Sequence, residues 1–132
     1  MFERIITGGQ TGADQGAWRA AKAAGLPTGG TLPAGFMTEA GPRPEFVELC
    51  GADECPNPDP ATRTRINVRE SVATIWFGDP ATPVGRATLG ACRALSRTFL
   101  IVAEGQTRPS QVEAWIREHR VRTLNVAGNP ES

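Results

Sequence analysis

The stretch Arg4-Ile5-Ile6-Thr7-Gly8-Gly9-Gln10-Thr11-Gly12-Ala13-Asp14 decides how the rest of the chain is read. An apolar run passes through closely spaced glycines into an alanine-rich segment, which predicts a strand, a tight loop and the start of a helix. Glycine allows positive φ and lets a ligand approach main-chain N–H groups with no Cβ in the way. The N–H groups and positive dipole end of the following helix favour an anion, most often a phosphate. Gln10, Thr11 and Asp14 add donors and acceptors around the same point, which suits a sugar or nucleotide better than a bare inorganic ion. No Lys follows Gly12, so this is not the P-loop pattern, and the spacing departs from the strict G-x-G-x-x-G fingerprint. The plainer alternative is that the glycines only make the turn while Asp14 caps the helix.

The 132 residues are sized for one domain. Fourteen basic side chains balance 14 acidic ones for a net charge of +0, so no broad footprint for nucleic acid or anionic membrane is expected and any anion site is local. No apolar run approaches a membrane span, and Met1-Phe2-Glu3-Arg4 lacks the features of a secretory signal, so a cytoplasmic location is expected. Cys50, Cys55 and Cys92 are an odd set and argue against a disulfide framework.

Asp14 to Ala24 reads as a helix with Ala17, Ala20, Ala21 and Ala24 on a small-residue face, closed by Gly25 and Pro27. Trp18 beside that face is expected to pack rather than to stack on a base. Leu26 to Gly30 starts a second strand that breaks at its glycines, and Thr31 to Glu45 reads as a long loop. Phe46 to Leu49 is a short strand or turn, and Gly51 to Ala61 is irregular. Thr62 to Ser71 reads as a helix capped by Thr62, followed by the buried strand Ala73 to Phe77. A helix over Val84 to Arg97 leads to the strand Thr98 to Val102. Val112, Trp115 and Ile116 then form the apolar stripe of another helix, and Trp115 is expected in the core. His119 is expected at a solvated helix end. The last strand is Thr123 to Val126. This alternation predicts a three-layer α/β fold with a mainly parallel sheet of about five strands. Ligands in such sheets gather beyond the carboxyl ends of the strands, here the loops after Thr7, Thr28, Phe77 and Val126.

With these segments in place, nearly the whole chain resembles the putative molybdenum carrier family, the circularly permuted YpsA-like branch of the SLOG, or lonely-guy-like, Rossmann-type superfamily. The resemblance is carried by Gly8 to Asp14, by Pro27-Thr28-Gly29-Gly30, and by Pro33 with Gly35, Glu39 and Gly41-Pro42. Arg63-Thr64 with Asn67-Val68-Arg69 and Asn125-Val126-Ala127-Gly128 complete it. It implies a single Rossmann-like domain over residues 1–132, with a pocket for a nucleotide or NAD-related ligand. The chain departs from the family at Glu70 to Ala73 and at Thr82 to Thr88. In the second place Arg86 and Thr88 offer a charge and a hydroxyl instead of a glycine- and threonine-rich phosphate turn. The family also commonly carries a helix after the final glycine turn, so either one wall of the pocket is missing or a second subunit supplies it, and a homodimer or tetramer is expected.

The expected ligand contacts are therefore Gly8, Gly9, Gln10, Thr11, Gly12, Asp14, Thr28, Gly29, Gly30, Glu39, Arg63, Thr64, Asn67, Arg69, Arg86, Thr88, Asn125 and Gly128. Arg65 is expected to be solvated. The leading expectation is a phosphorylated nucleotide or an NAD- or ADP-ribose-derived molecule, such as a cyclic ADP-ribose isomer, bound without turnover by a carrier or a sequestering protein. No catalytic residue, metal ligand or resident cofactor is assigned; no cysteine or histidine cluster suits a metal. One alternative is a nucleotide N-glycosidic or phosphoester hydrolase, although the P-G-G-x-G-T-x-x-E turn of the lonely-guy phosphoribohydrolases is absent. The other is a molybdenum cofactor carrier.

Overall fold

The computed structural model describes residues 2–130. The chain runs β1 (Arg4–Thr7), α1 (Ala13–Ala23), β2 (Thr28–Leu32), a 3-10 turn (Ala34–Phe36), β3 (Met37–Thr38), β4 (Gly41–Pro42) and α2 (Phe46–Cys50). It continues through β5 (Ala52–Glu54), α3 (Pro60–Arg69), β6 (Ala73–Phe77), α4 (Pro83–Ala94), β7 (Thr98–Val102), α5 (Pro109–Glu118) and β8 (Thr123–Gly128). Six strands form one parallel sheet in the order β5-β2-β1-β8-β6-β7, while β3 and β4 make a separate antiparallel hairpin.

Alternation along the strands sends Ile75, Leu124 and Val126 to one face, where they cluster with Ala17 of α1 and with Val112, Trp115 and Ile116 of α5. Trp18 of α1 joins Phe46 and Cys50 of α2 on the same side. Val68 of α3 meets Ala91 and Cys92 of α4 in a third cluster, so the sheet lies between two helix layers. Trp18 is 2% exposed, meets Phe46 edge-on at 5.0 Å and donates Nε1–H to the Gly29 carbonyl at 2.9 Å. Removing such a side chain costs about 3–5 kcal/mol. Its hydrogen bond contributes only about 1 kcal/mol, so packing dominates.

The sheet has six strands where about five were expected. The sixth, β5, is a three-residue edge whose Asp53 and Glu54 are exposed, a charged edge with no apolar run to signal it. Strand β2 does not break at its glycines but continues through Thr31 and Leu32. Gly30 adopts φ +127°, and a Cβ there would stand 1.9 Å from the Thr7 carbonyl oxygen, so the missing side chain lets two backbones close on each other. Phe46–Cys50 is a helix rather than a strand or turn, and α3 is capped by the Asp59 side chain on the Ala61 N–H rather than by Thr62.

Helix α3 is fastened to β2 by one side chain. The buried Asn67 amide accepts from the Thr31 N–H at 2.8 Å and donates to the Thr31 carbonyl at 2.9 Å, closing both main-chain groups of one residue. Leaving either group unpaired would cost about 1–3 kcal/mol.

Gly30→Ala is expected to destabilise the protein by about 3 kcal/mol or more in urea titration, since strain and clash combine. Gly90 lies inside α4 with open space where a Cβ would go and no positive φ. Gly90→Ala is expected to stabilise the protein by about 0.5–1 kcal/mol. Equal effects at the two positions would contradict the backbone approach described for Gly30.

Candidate functional site

The glycine loop leaves β1 at the carboxyl edge of the sheet and is held from several sides. Thr7 Oγ1 accepts from the Gly9 N–H at 3.0 Å, and Gln15 Nε2 donates to the Gly9 carbonyl at 3.0 Å. Gly9 has φ +70° and rests on Leu32, whose side chain would lie 2.7 Å from any Cβ placed there. Gly12 precedes α1 at φ 83°, and no side chain caps that helix. Asp14 instead turns back, its Oδ2 accepting from the Gln10 N–H at 3.2 Å.

Across the crevice, the first turns of α3 bring Arg63 onto the loop. A Cβ on Gly8 would lie 2.0 Å from Arg63 Nη1, so the guanidinium occupies the space that glycine leaves. Arg63 Nε is buried without a hydrogen-bond partner. A small cavity of about 10 Å³, room for roughly one water, is lined by Gly8, Arg63, Thr64, Asn67, Thr88, Asn125 and Ala127. A larger cleft of about 1010 Å³ runs beside α5, floored by Phe2, Phe77, Val112 and Ile116, away from the glycine loop. The larger cleft is apolar on its floor with Arg108, Arg117, Arg120 and Arg122 among its lining, whereas the small cavity joins Arg63 to the polar side chains of Thr64, Asn67, Thr88 and Asn125 directly behind the glycine loop.

Asp14 is only 3% exposed. Burial pushes its pKa up from 3.8 to about 7, against the lowering pull of Arg63 and the Gln10 amide and with a further push from Glu39. Asp14, Arg63 and Glu39 thus share one electrostatic environment. Glu39 sits at the tip of the β3–β4 hairpin, and its Oε1 accepts both the Thr11 N–H and the Thr11 hydroxyl at 2.8 Å. Gln10 Nε2 donates to the Gly8 and Met37 carbonyls, each at 3.0 Å.

Of the residues expected in the site, Gly8, Gly9, Gln10, Thr11, Gly12, Asp14, Glu39 and Arg63 come together around the loop. Thr64, Asn67, Thr88 and Asn125 line the small cavity behind it. Asn67 has spent its amide on Thr31, Thr88 Oγ1 donates to the Val84 carbonyl, and Asn125 Nδ2 donates to Thr74 Oγ1, so these three shape the wall. Gly30 and Gly128 work as contact points: a Cβ on Gly128 would lie 2.7 Å from that of Ala13 and 2.9 Å from the Phe77 oxygen.

Four expected contacts lie elsewhere. Thr28 and Gly29 pair with Ile5 and Ile6, short of the carboxyl edge, and serve α2 and Trp18 through Cys50 and the Gly29 carbonyl. Arg69 is exposed at the far end of α3, about 9 Å along the axis from Arg63 at 1.5 Å per residue. Arg86 is exposed on the first turn of α4 and does not line the cavity. Thr7 and Gln15, which hold the loop, were not singled out from sequence. The signal available for Gln15 was its place one turn after Thr11 on a helix that leaves the loop.

A parallel sheet whose interior strand delivers a glycine loop to the crevice at its carboxyl edge defines a Rossmann-like α/β protein. The model of the circularly permutated YpsA SLOG family matches residues 5–132, and the chain belongs to that family. In this chain the strand β8 lies between β1 and β6. The fold is similar to a crystal structure of a putative molybdenum carrier protein from Syntrophus aciditrophicus SB. The TM-score is 0.88 at 28% identity, covering 98% of this chain and 83% of that one. A weaker likeness to (E)-4-hydroxy-3-methyl-but-2-enyl diphosphate reductase carries no argument, at a TM-score of 0.38 and 12% identity over 99% of this chain and 54% of that one. No curated protein matches the chain. No helix among the described residues is long and apolar enough to cross a membrane.

The raised Asp14 value means that the folded protein keeps a proton the unfolded chain releases. The corresponding stability is full below pH 3.8 and is lost as the pH rises through about 7. Asp14→Asn is expected to remove a fall of roughly 4 kcal/mol over that window, read as the difference between the two urea-stability profiles. Parallel profiles for the two proteins would contradict a buried, protonated Asp14.

Proposed function

We propose that the protein binds a phosphorylated nucleotide, of the NAD- or ADP-ribose-derived kind, in the crevice between the glycine loop and α3, and that it holds the ligand without turning it over. The observation that carries this reading is Arg63: its guanidinium lies against Gly8, and its buried Nε has no partner. A buried guanidinium donor left unsatisfied is costly. A phosphate oxygen at the loop would satisfy it, while the positive dipole end of α1 after Gly12 favours the same negative charge. Thr64 Oγ1 and Gln10 Oε1 offer polar atoms for the sugar. In this reading the protein works in the cytoplasm as a carrier or as a trap for a nucleotide signal, and a second copy covers the apolar cleft beside α5 in a dimer or tetramer. A monomer in light scattering would remove that last element.

A hydrolase is the second reading, favoured by Asp14, whose pKa of about 7 would let it give or take a proton beside a bound phosphate ester or glycoside. The molybdenum label comes with the similar protein from Syntrophus aciditrophicus SB. Molybdate is a tetrahedral oxyanion that the same amides and Arg63 would accept, so it belongs in the same test.

Thermal melting with NAD, ADP-ribose, cyclic ADP-ribose isomers, nucleoside monophosphates and molybdate separates the three readings. Stabilisation by a nucleotide recovered intact after denaturation is expected, with at least a hundredfold loss of affinity in Arg63→Ala. Product formation would replace the first reading by the second, and stabilisation by molybdate alone would replace it by the third. Unchanged nucleotide affinity in Arg63→Ala would remove the crevice from the account.

A further inference from the structure

The hairpin that carries Glu39 is anchored at its base and loosely held at its tip. At the base, Gly35 N–H donates to the Glu54 carboxylate of β5, Arg43 N–H donates to the Phe36 carbonyl at 2.9 Å, and Cys55 N–H donates to the Leu32 carbonyl at 2.8 Å. Internally, Thr38 Oγ1 donates to the Gly41 carbonyl at 2.7 Å. The tip contributes no buried apolar side chain: Met37 is 47% exposed, and Glu39 and Ala40 are exposed. What joins the tip to the rest of the protein is polar, namely the Glu39 carboxylate on Thr11 and the Gln10 amide on the Met37 carbonyl. Gly35 at φ +76° and Gly41 at φ +100° lie on either side of the tip. A Cβ at Gly41 would meet nothing within 4 Å, and the one buried residue of the tip, Thr38, uses its hydroxyl within the hairpin, on the Gly41 carbonyl and the Ala40 N–H, so the tip's side-chain ties to the glycine loop are polar.

The Glu39 carboxylate therefore takes a main-chain N–H and a hydroxyl immediately before α1, where a ligand's anionic group would bind. Its charge also reaches Asp14, at the heart of the crevice. We infer that Glu39 is a tethered competitor: in the free protein its carboxylate fills the anion position at Thr11, and an incoming phosphate must displace it and release the hairpin tip. This inference rests on the anion-binding reading above and adds to it a rule of selection. An intramolecular carboxylate competes at an effective concentration set by its short tether, commonly in the millimolar range or above. The apparent affinity of every ligand falls by the fraction of protein whose anion position is open. Ligands with one weakly held anionic group are excluded, while those that also engage Arg63 through a second phosphate overcome the competitor. The device favours a diphosphate, as in ADP-ribose, over a monoanion.

Glu39→Ala and Glu39→Gln test this with two readouts. Without ligand, hydrogen exchange across residues 33–44 is expected to quicken about tenfold in Glu39→Ala, and unchanged exchange would show that Glu39 does not hold the tip. With inorganic pyrophosphate and ADP-ribose as probes, calorimetry is expected to give affinities about tenfold tighter in Glu39→Ala than in the unaltered protein, with Glu39→Gln between them. Weaker binding in Glu39→Ala would make Glu39 a ligand contact and overturn the inference. Equal affinities would overturn it while leaving the anion site in place. Absence of binding to either probe in all three proteins would remove the anion site and the competitor together.

Discussion

Arg63 lies where a side chain on Gly8 would have to be, and the geometry of the crevice follows from that substitution of one residue's volume for another's. A long cation can press against a strand end only where the strand has no Cβ. It stays there only if its helix is fixed, and the Asn67 amide on Thr31 fixes α3 to β2 one turn further along. Strand β2 can in turn lie close to β1 because Gly30 has no side chain to meet the Thr7 carbonyl. Glycines at 8, 9 and 30 thus act together, each removing a Cβ that would hold the backbone apart from a guanidinium, the Leu32 side chain and the Thr7 backbone in turn.

The same closeness creates the electrostatics. Asp14 sits beneath the loop, sealed from water, and the charge of Arg63 offsets only part of the cost of ionising it there. A buried acid titrating near neutrality beside an exposed one, Glu39, puts two carboxyl groups of different character within reach of one ligand position. Binding of a phosphate would add negative charge at that position and favour the protonated form of Asp14 further.

Much of this was legible from the residues alone. The strand, loop and helix around Gly8 to Asp14 stood out because the change from an apolar run to glycines to alanines is abrupt. The parallel α/β architecture followed from the alternation after it. What the chain concealed was short or polar: β5 carries two charged residues on an exposed edge, and β3 and β4 have two residues each, too few for any periodicity. The site residues divide the same way. Arg63 and Glu39 were visible as chemistry-bearing residues in the matching blocks. Asn67 stood in the same block, yet its amide is consumed by a main-chain pair formed 36 residues away, which spacing cannot reveal. Thr28 and Gly29 are expected ligand contacts because a strand that breaks at its glycines would end there, whereas β2 runs on for three residues beyond Gly29 before reaching the edge. Arg69 shares a helix with Arg63 but not its end.

The most direct measurement is a two-dimensional NMR titration of the isotopically labelled protein with ADP-ribose, following the main-chain amides of Gly8, Gly9 and Gly12 together with the Arg63 Nε–H. The account predicts that these four signals shift in concert with a single dissociation constant, and that the Nε–H moves downfield as it acquires a phosphate acceptor. Saturable shifts confined to residues of the apolar cleft beside α5, with the glycine amides and the Arg63 Nε–H unmoved, would contradict it.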